Sequence, residues 1–349
     1  MLLQRRSVAR KILMMSYKRL FRNYVKKSWQ RGQMIVVEFF MKWKHWNLPY
    51  AIYSTVWWIA WYSPISMKKI IWWGFRKKTR FLDCYVASNY EDILSKYKKR
   101  DVILGSAGKA VSEYKIWFFW YQGIDLAPAV VKKCYTELIK FNGDDVVLLS
   151  KESIKKYVDI PDYIESKLNA GIISKTHYSD LLRVTLLSQY GGIWVDATSF
   201  TTEQVPDFVK DLKLYSIRKG GMSDIPLWAN YRWCSYCIGC SSINYLLFEF
   251  VRDMWLEYWK KENYLIDYLF TDYLFYWAYN NLSSIHEDID DIPENNVHHN
   301  VLHFLLNKPF KEEKYQEIKQ WFYKLSWKGY YEKYTASGEL TFYGKLIDE

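Results

Sequence analysis

Three charged side chains, Asp180, Arg183 and Asp196, have the types and the spacing to bind a polar ligand. Asp180 and Arg183 are three residues apart, so on a helix they lie on one face, one turn apart. Asp196 follows the short apolar run 193–195, and a strand formed by this run would present the carboxylate at its carboxyl end. Ligands of open α/β sheets bind outside the carboxyl ends of the strands. The spacing therefore predicts that the three side chains converge on one crevice.

Such a crevice would suit chemistry at a diphosphate. A departing diphosphate accumulates negative charge, which a divalent ion or cationic side chains must neutralise. Mg²⁺ and Mn²⁺ take oxygen ligands, so Asp196 and the hydroxyl of Thr198 could form part of a metal site. Asp180 could accept, and Arg183 donate, hydrogen bonds to sugar hydroxyls. The alternative is structural: an ion pair at a helix end and an aspartate in a turn.

The elements that would position these residues alternate along the chain. The pattern predicts strand 114–123, helix 127–142, strand 145–150, helix 178–190 and strand 193–195. Gly191 and Gly192 would end the second helix, because glycine adopts backbone angles that other residues resist. This order predicts an α/β fold with a parallel sheet flanked by helices. Residues 243–281 are expected to be mainly helical, and the C-terminal residues to form short strands around turns.

The charge of the chain is unevenly distributed. Residues 1–80 hold 18 Lys or Arg and one acid, Glu38, a net charge of +17; the remainder holds 49 − 18 = 31 basic and 38 − 1 = 37 acidic residues, a net charge of −6. A nucleic-acid enzyme would carry its basic residues around its working groove. Here they lie on an N-terminal arm, so the sequence predicts an arm drawn to an anionic membrane surface and no nucleic-acid partner.

The N-terminal region, residues 1–110, is predicted to be basic, aromatic and helical, and to associate with a membrane. Residues 4–31 carry apolar side chains at roughly helical spacing between cationic ones. The uncharged run 47–67 would just span a bilayer, but prolines interrupt it. An interfacial segment is favoured over a true span or a helix buried on the body. A basic hinge is expected at residues 75–80, and a catalytic domain at residues 111–349.

Three of the five cysteines, Cys234, Cys237 and Cys240, have a spacing that resembles a metal site. Such sites normally need a fourth ligand, and no nearby cysteine supplies one. Reduced cysteines packed along a strand and a turn are therefore favoured. The basic start has no small-residue cleavage site of a secretory signal. We expect a cytoplasmic protein, peripheral on the inner face of the cell membrane.

Three segments of the chain resemble one protein family. SDLLRVTLLSQYGGIWVDATSF, residues 179–200, resembles the signature of the capsular polysaccharide synthesis proteins, within the wider glycosyltransferase family 32 group of GT-A enzymes. IWFFWYQGIDLAPAVVKKC, residues 116–134, resembles the opening strand of the same family, and KLSWK, residues 324–328, its C-terminal strand. The matches extend over roughly residues 114–330 in the order of the family.

The resemblance implies a GT-A fold, which is Rossmann-like with a mostly parallel sheet flanked by helices. It implies a hexosyltransferase-like enzyme with a nucleoside diphosphate sugar as donor, a UDP-sugar above others, assisted by Mn²⁺ or Mg²⁺. The sugar would pass with retention to a capsular or related glycan acceptor, free or lipid-linked. The alternative is a non-catalytic scaffold at the membrane surface, part of a glycan assembly complex, that retains the nucleotide-sugar fold.

The resemblance also assigns roles to individual residues. It implies catalytic residues at Asp180, Arg183, Asp196 and Asp272, donor-binding residues at Trp117, Trp120, Gln122, Asp180, Arg183, Trp194, Asp196 and Lys328, and metal ligands at Asp196 and Thr198. Asp196 takes the first acid of the Asp-x-Asp metal motif, and Thr198 stands where the general pattern has the second. Either Trp117 or Trp120 would stack on the base. The acceptor-side carboxylate would come from the segment that holds Asp267 and Asp272.

Overall fold

The computed structural model describes residues 32–62, 67–106, 108–223 and 226–348. The arm predicted at residues 4–31 lies outside the described residues. Contacts within the chain divide it into two compact units, Met1–Val86 and Ala87–Glu349. Each unit is described by itself below.

The strands all belong to the second unit. They are β1 Lys109–Ala110, β2 Ile116–Phe119, β3 Val146–Leu149, β4 Gly192–Asp196, β5 Ser199–Thr201, β6 Leu214–Ser216, β7 Cys237–Cys240, β8 Ser242–Ile243 and β9 Phe322–Lys324. The central sheet has the order β3-β2-β4-β7-β6, and two further antiparallel pairs, β1-β8 and β5-β9, lie beside it. β2, β3 and β4 confirm the three strands that the sequence predicts.

The helices account for most of the remaining described chain. They are α1 32–45, α2 Leu48–Tyr62, α3 Lys68–Leu104, α4 Ala129–Asn142, α5 Asp162–Asn169, α6 Lys175–Tyr190, α7 Asp207–Asp211, α8 Leu246–Lys261, α9 Phe270–Asn281, α10 Ser283–Asp290, α11 Val301–Leu305, α12 Glu312–Glu317 and α13 Phe342–Asp348. Short 3₁₀ turns occupy Ile124–Leu126, Gly143–Asp145 and Ile154–Lys156. The two helices predicted in the α/β segment are confirmed by α4 and α6, and the helical stretch at 243–281 by α8 and α9.

The central sheet is mixed, and only one of its strands runs against the others. β2 pairs in parallel with β3 and β4, whereas β7 pairs antiparallel with both β4 and β6. β6 consequently runs in the direction of β2, β3 and β4. The α/β class is confirmed, and the predicted parallel sheet is corrected to a mixed sheet by the reversal of β7. Cys237 and Cys240 are buried in β7, packed along a strand as the sequence predicts.

The passage from α6 to β4 depends on two glycines. Gly191 has φ of +63° and its amide donates to the carbonyl of Leu187, which ends α6. Gly192 has φ of +82°, and a Cβ atom there would lie 2.2 Å from the carbonyl oxygen of Lys115. Only glycine fits this angle and this approach, so the chain can turn within two residues into the centre of the sheet. Ten of the sixteen residues of α6 are buried, and the helix packs against α8.

Two local predictions are wrong. The basic segment 75–80 is not a hinge but lies inside α3, because it contains no proline and continues the helix. α3 leaves helical geometry later, at Tyr90, which has φ of −135° and ψ of 24°. The final segment forms helix α13 instead of a strand, because the Thr341 hydroxyl accepts a hydrogen bond from the Gly344 amide, as an N-cap does.

The first unit contains α1, α2 and the beginning of α3. α2 covers most of the uncharged run 47–67 that the sequence singles out. Among the described residues, no helix combines the length and the apolar character needed to cross a bilayer.

Candidate functional site

Asp196 is the centre of a charge network at the carboxyl end of β4. Its Oδ1 atom accepts hydrogen bonds from Arg183 Nη2 at 3.1 Å and from Trp194 Nε1 at 2.9 Å. Its Oδ2 atom accepts one from Lys324 Nζ at 2.7 Å. Burial alone would raise the pKa of Asp196, but the Lys324 and Arg183 cations hold it below its ordinary value. The carboxylate is therefore ionised, and each of its two oxygens accepts at least one hydrogen bond.

Arg183 joins α6 to β4. Its Nη1 atom donates to Asp180 Oδ1 at 3.1 Å, so one guanidinium bridges two carboxylates. The residue is only 4% exposed, and its guanidinium carbon lies 5.2 Å from the centre of the Trp194 ring. Burial raises the pKa of Asp180 above its ordinary value, although Arg183 opposes this. The structure thus brings Asp180, Arg183 and Asp196 together in one buried network.

Lys324 completes the network, and sequence reasoning missed it. β9 pairs antiparallel with β5, with Lys324 opposite Ser199, and the amide of Leu325 donates to the carbonyl of Thr198 at 2.8 Å. Because β5 begins three residues after Asp196, this pairing fixes Lys324 beside the carboxylate. The resemblance instead directed attention to Lys328 in the same KLSWK segment. A signal was available, since Lys324 is a lone charge within the apolar run WFYKL.

A cleft of about 290 Å³ opens in front of this network, at the carboxyl ends of β2 and β4. Its lining consists of Phe119, Trp120, Tyr121, Gln122, Lys175, Thr176, Ser179, Arg183, Trp194, Asp196, Ala197, Thr198, Trp327 and Lys328. The volume is close to the lower end of the range for small-molecule sites. The cleft combines one carboxylate, several cations and an aromatic wall.

The two tryptophans left open by the sequence have different environments. Trp117 is fully buried in β2, and its Nε1 atom donates to the carbonyl of Gly191 at 2.9 Å. It has no face that a ligand could reach, so its inclusion among the donor-binding residues is corrected. Trp120 follows the end of β2, and its ring meets Trp327 edge to face at 5.8 Å. Of the two, only Trp120 lines the cleft.

The remaining candidates on the donor side differ in accessibility. Gln122 and Lys328 are exposed on the rim of the cleft. Trp194 is 1% exposed, and its indole donates to Asp196, so it orients the carboxylate. Thr198 lines the cleft but is only 9% exposed, and its carbonyl accepts a hydrogen bond from the amide of Leu325, which follows β9.

Asp267 and Asp272 have separate roles in the fold. The Asp267 carboxylate accepts from the amide of Leu269 at 3.0 Å and caps the turn before α9. Asp272 is half-buried on α9 and accepts from Trp233 Nε1 at 2.9 Å. Burial, reinforced by the charge of Asp180, raises the pKa of Asp272 to about 6. The pKa of Asp272 thus responds to the charges of Asp180 and Arg183, which belong to the network.

The raised pKa of Asp272 has a consequence for stability. Between its unfolded value of 3.8 and its folded value of about 6, the folded chain binds more protons than the unfolded chain, so this group reduces stability as the pH rises. We expect Asp272→Asn to be more stable than the wild type at pH 8, by about 1–3 kcal/mol, and nearly equal to it at pH 4. Urea unfolding at both pH values measures the difference.

The exposed Asp144 provides a matched control for this measurement. The difference in the free energy of unfolding between Asp144→Asn and the wild type should be the same at pH 4 and at pH 8. An Asp272→Asn chain that is less stable than the wild type at pH 8 would contradict the raised pKa.

The atoms around Asp196 and Thr198 do not match the predicted metal role of these two residues. Mg²⁺ and Mn²⁺ are held mainly by oxygen atoms, but three donors already occupy the Asp196 oxygens, and Thr198 offers only a neutral hydroxyl. Nowhere in the described part of the chain do three His, Cys, Asp or Glu side chains group to hold an ion. Like unit charges about 4 Å apart repel by about 4 kcal/mol near a protein surface, so a divalent ion beside Lys324 would meet about twice this repulsion, opposed by attraction to only one carboxylate. The residues present do not fit a resident divalent ion.

A second cleft, of about 280 Å³, lies between the segment after β6 and the end of α10. Its main cation, Arg218, donates to the backbone carbonyls of Ile289, Asp290 and Ile292. These hydrogen bonds stabilise the end of α10, so the arginine in this cleft has a structural role.

Comparison with known proteins adds two findings. The family model for the capsular polysaccharide synthesis protein matches residues 68–346. The match begins with α3 and extends beyond the span of roughly 114–330 over which the sequence motifs resemble that family. A curated relative, O-glycosyltransferase braB of Annulohypoxylon truncatum, is 33% identical over 106 residues, which cover 28% of this chain and 25% of the relative. The likeness to that protein is thus confined to about a quarter of its length.

Proposed function

The chain belongs to the capsular polysaccharide synthesis protein family, and we propose on this premise that it is a retaining glycosyltransferase. Its donor is a nucleoside diphosphate sugar, with UDP-sugars as the first candidates. Its acceptor is a capsular or related glycan, free or lipid-linked. Family membership and the partial likeness to an O-glycosyltransferase support the class of activity. The observation that carries the proposal is the network of Asp196, Arg183 and Lys324 at the carboxyl ends of the sheet strands.

The cleft has separate regions for the parts of such a donor. The aromatic wall of Trp120 and Trp327 offers a surface for the base. The cations Lys324 and Lys328 supply positive charge for the diphosphate, where negative charge accumulates as the sugar leaves. Asp272 lies on α9, on the side proposed for the acceptor. A GT-A arrangement accords with the sheet, in which only β7 runs against the other strands.

In the proposed reaction, the acceptor oxygen attacks the anomeric carbon from the face that the diphosphate leaves. The bond between the anomeric carbon and the phosphate oxygen breaks, the new glycosidic bond forms, and the departing diphosphate takes the acceptor proton. Asp196 keeps Lys324 in place during this step, and Arg183 in turn holds Asp196. The charge of the leaving group is compensated by lysines or, alternatively, by a divalent ion that enters with the donor.

A screen of nucleoside diphosphate sugars tests this function. The purified chain is incubated with each sugar, beginning with UDP-sugars, and free nucleoside diphosphate is measured. Release from at least one donor supports a transferase, because slow hydrolysis accompanies transfer when the acceptor is missing. Binding of nucleotides without any release would favour the alternative, a non-catalytic scaffold of a glycan assembly complex.

We also propose that the first unit attaches the chain to the cytoplasmic face of a membrane. Large apolar side chains are exposed along it at Met34, Val36, Val37, Phe40, Trp43, Leu48, Ile52, Ile59, Ile70, Trp72 and Trp73. Exposed cations accompany them at Lys44, Lys68, Lys69, Arg76 and Lys77. Apolar and aromatic side chains beside cations are typical of proteins that lie in the interface of anionic membranes.

Sedimentation with lipid vesicles tests the attachment. We expect the full chain to bind vesicles containing anionic lipid and to be released by high salt, with weak binding to neutral vesicles. Trp43→Ser combined with Trp72→Ser should reduce binding at least about fivefold, because burial of each tryptophan contributes more than 1 kcal/mol. Trp327→Ser is a matched control, since Trp327 is equally exposed in the other unit. Equal binding to neutral and anionic vesicles would contradict the proposal.

A further inference from the structure

We propose that Lys324 is the fixed cation of the donor site, and that the chain binds the diphosphate of its donor without a divalent metal ion. This inference rests on the proposed function, because it takes a nucleoside diphosphate as the ligand. It concerns how the charge of that ligand is compensated.

The first support is the position of Lys324. Its ammonium group lies 2.7 Å from Asp196 Oδ2 and 4.9 Å from the centre of the Tyr236 ring. Asp196 lines the cleft and its side chain is 28% exposed, whereas Lys324 lies outside the lining, held against Asp196, with a side chain that is 21% exposed. An ion that used Asp196 as its ligand would have to displace this ammonium or lie against it.

The second support is that the backbone holds Lys324 in place. The amide of Lys324 donates to the carbonyl of His299 at 2.7 Å, and the residue pairs with Ser199 across the β5-β9 ladder. Lys324 is therefore positioned before any ligand arrives. Preorganised charge of this kind stabilises an anion without a cost of rearrangement.

The third support is the balance of charge. The lining of the cleft contains three cations, Lys175, Arg183 and Lys328, and one carboxylate, Asp196. Outside the lining, Lys324 pairs with Asp196 and Asp180 pairs with Arg183, so these two add one charge of each sign and four cations face two carboxylates. A site that recruits a divalent ion presents an excess of carboxylate oxygens, whereas this cleft already presents an excess of positive charge. The dianionic diphosphate of a nucleotide sugar complements it directly.

The test measures nucleotide affinity with and without metal. UDP and GDP are titrated into the wild-type chain in excess EDTA and, separately, in excess Mn²⁺, and the Kd is obtained by calorimetry. We expect the tighter of the two nucleotides to bind in EDTA with a Kd within about threefold of its value in Mn²⁺, a difference well below the tenfold that 1.4 kcal/mol represents. This arm needs no variant.

The second arm assigns the charge to Lys324. In EDTA, Lys324→Met should weaken the Kd at least about tenfold, which is the size of a lost charge-assisted contact. Lys319→Met, at an exposed lysine near β9, should leave the Kd unchanged.

Each other outcome has a definite meaning. Binding that occurs in Mn²⁺ and is lost in EDTA would overturn the inference and leave the proposed transferase function intact. An unchanged Kd for Lys324→Met in EDTA would overturn the role of Lys324. Failure of every nucleotide to bind, with or without metal, would overturn the proposed function together with the inference.

Discussion

Asp196→Asn is expected to release nucleoside diphosphate from its donor at least about 100-fold more slowly than the wild-type chain, the usual size of the loss when a preorganised electrostatic group is removed. Asparagine keeps the shape of the side chain but loses the charge that attracts Arg183 and Lys324 at once. Both cations would then be free to move from the positions in which they meet the diphosphate. The variant should remain folded, because the amide oxygen can still accept the hydrogen bond of Trp194.

Initial rates of nucleotide release, together with the Kd for the nucleotide, separate the causes of this loss. Since Asp196→Asn makes the cleft more positive, we expect nucleotide affinity in EDTA to be equal or tighter while turnover falls. Asp144→Asn, at an exposed acid, is the control and should turn over normally. Full turnover by a folded Asp196→Asn chain would contradict the assignment of this cleft.

Arg183→Met is expected to destabilise the fold by about 3–5 kcal/mol at neutral pH, the range found when one partner of a buried ion pair is removed. The guanidinium is the shared partner of Asp180 and Asp196. Asp196 would keep Lys324, whereas the Asp180 carboxylate would lose its only ion pair seen in the described residues. Urea unfolding followed by tryptophan fluorescence measures the effect, and Arg76→Met, at an exposed arginine of α3, is the control.

The sign of the pH dependence identifies the cause of this instability. Without Arg183, the pKa of Asp180 should rise further above its ordinary value, since the cation that opposes burial is gone. The folded variant then binds a proton more readily than the unfolded chain, so its deficit should shrink as the pH falls. Asp180→Asn added to Arg183→Met should recover part of the loss at neutral pH. A deficit independent of pH and of Asp180 would indicate a packing effect instead.

Local patterns in the sequence predict the sheet and helices around the site because each pattern is contained in one segment. The spacing of Asp180 and Arg183 is a property of one helix, and the glycine pair beyond it leads into the strand that ends at Asp196. The sequence leaves the choice between Trp117 and Trp120 open, because the predicted strand 114–123 contains both residues. The end of β2 at Phe119 in the structure separates them. A residue inside a central strand is buried, whereas the residue just after its carboxyl end lies where ligands bind.

Lys324 could not be predicted in the same way. It lies 128 residues after Asp196, and only the pairing of β9 with β5 brings the two side chains together. Such a pairing depends on the packing of the whole C-terminal segment, which local patterns do not encode. The false hinge at 75–80 has a different cause, because a run of cations does not break a helix by itself, and Lys78 within this run is buried.

The most direct measurement is the release of nucleoside diphosphate from a panel of nucleotide sugars by the wild-type chain and by Asp196→Asn, side by side. The account predicts release from at least one donor by the wild type and a rate lower by about 100-fold or more in the variant. It is contradicted if the wild-type chain binds nucleotides but releases none above the rate of Asp196→Asn from any donor, because the cleft would then bind nucleotide sugars without transferring them.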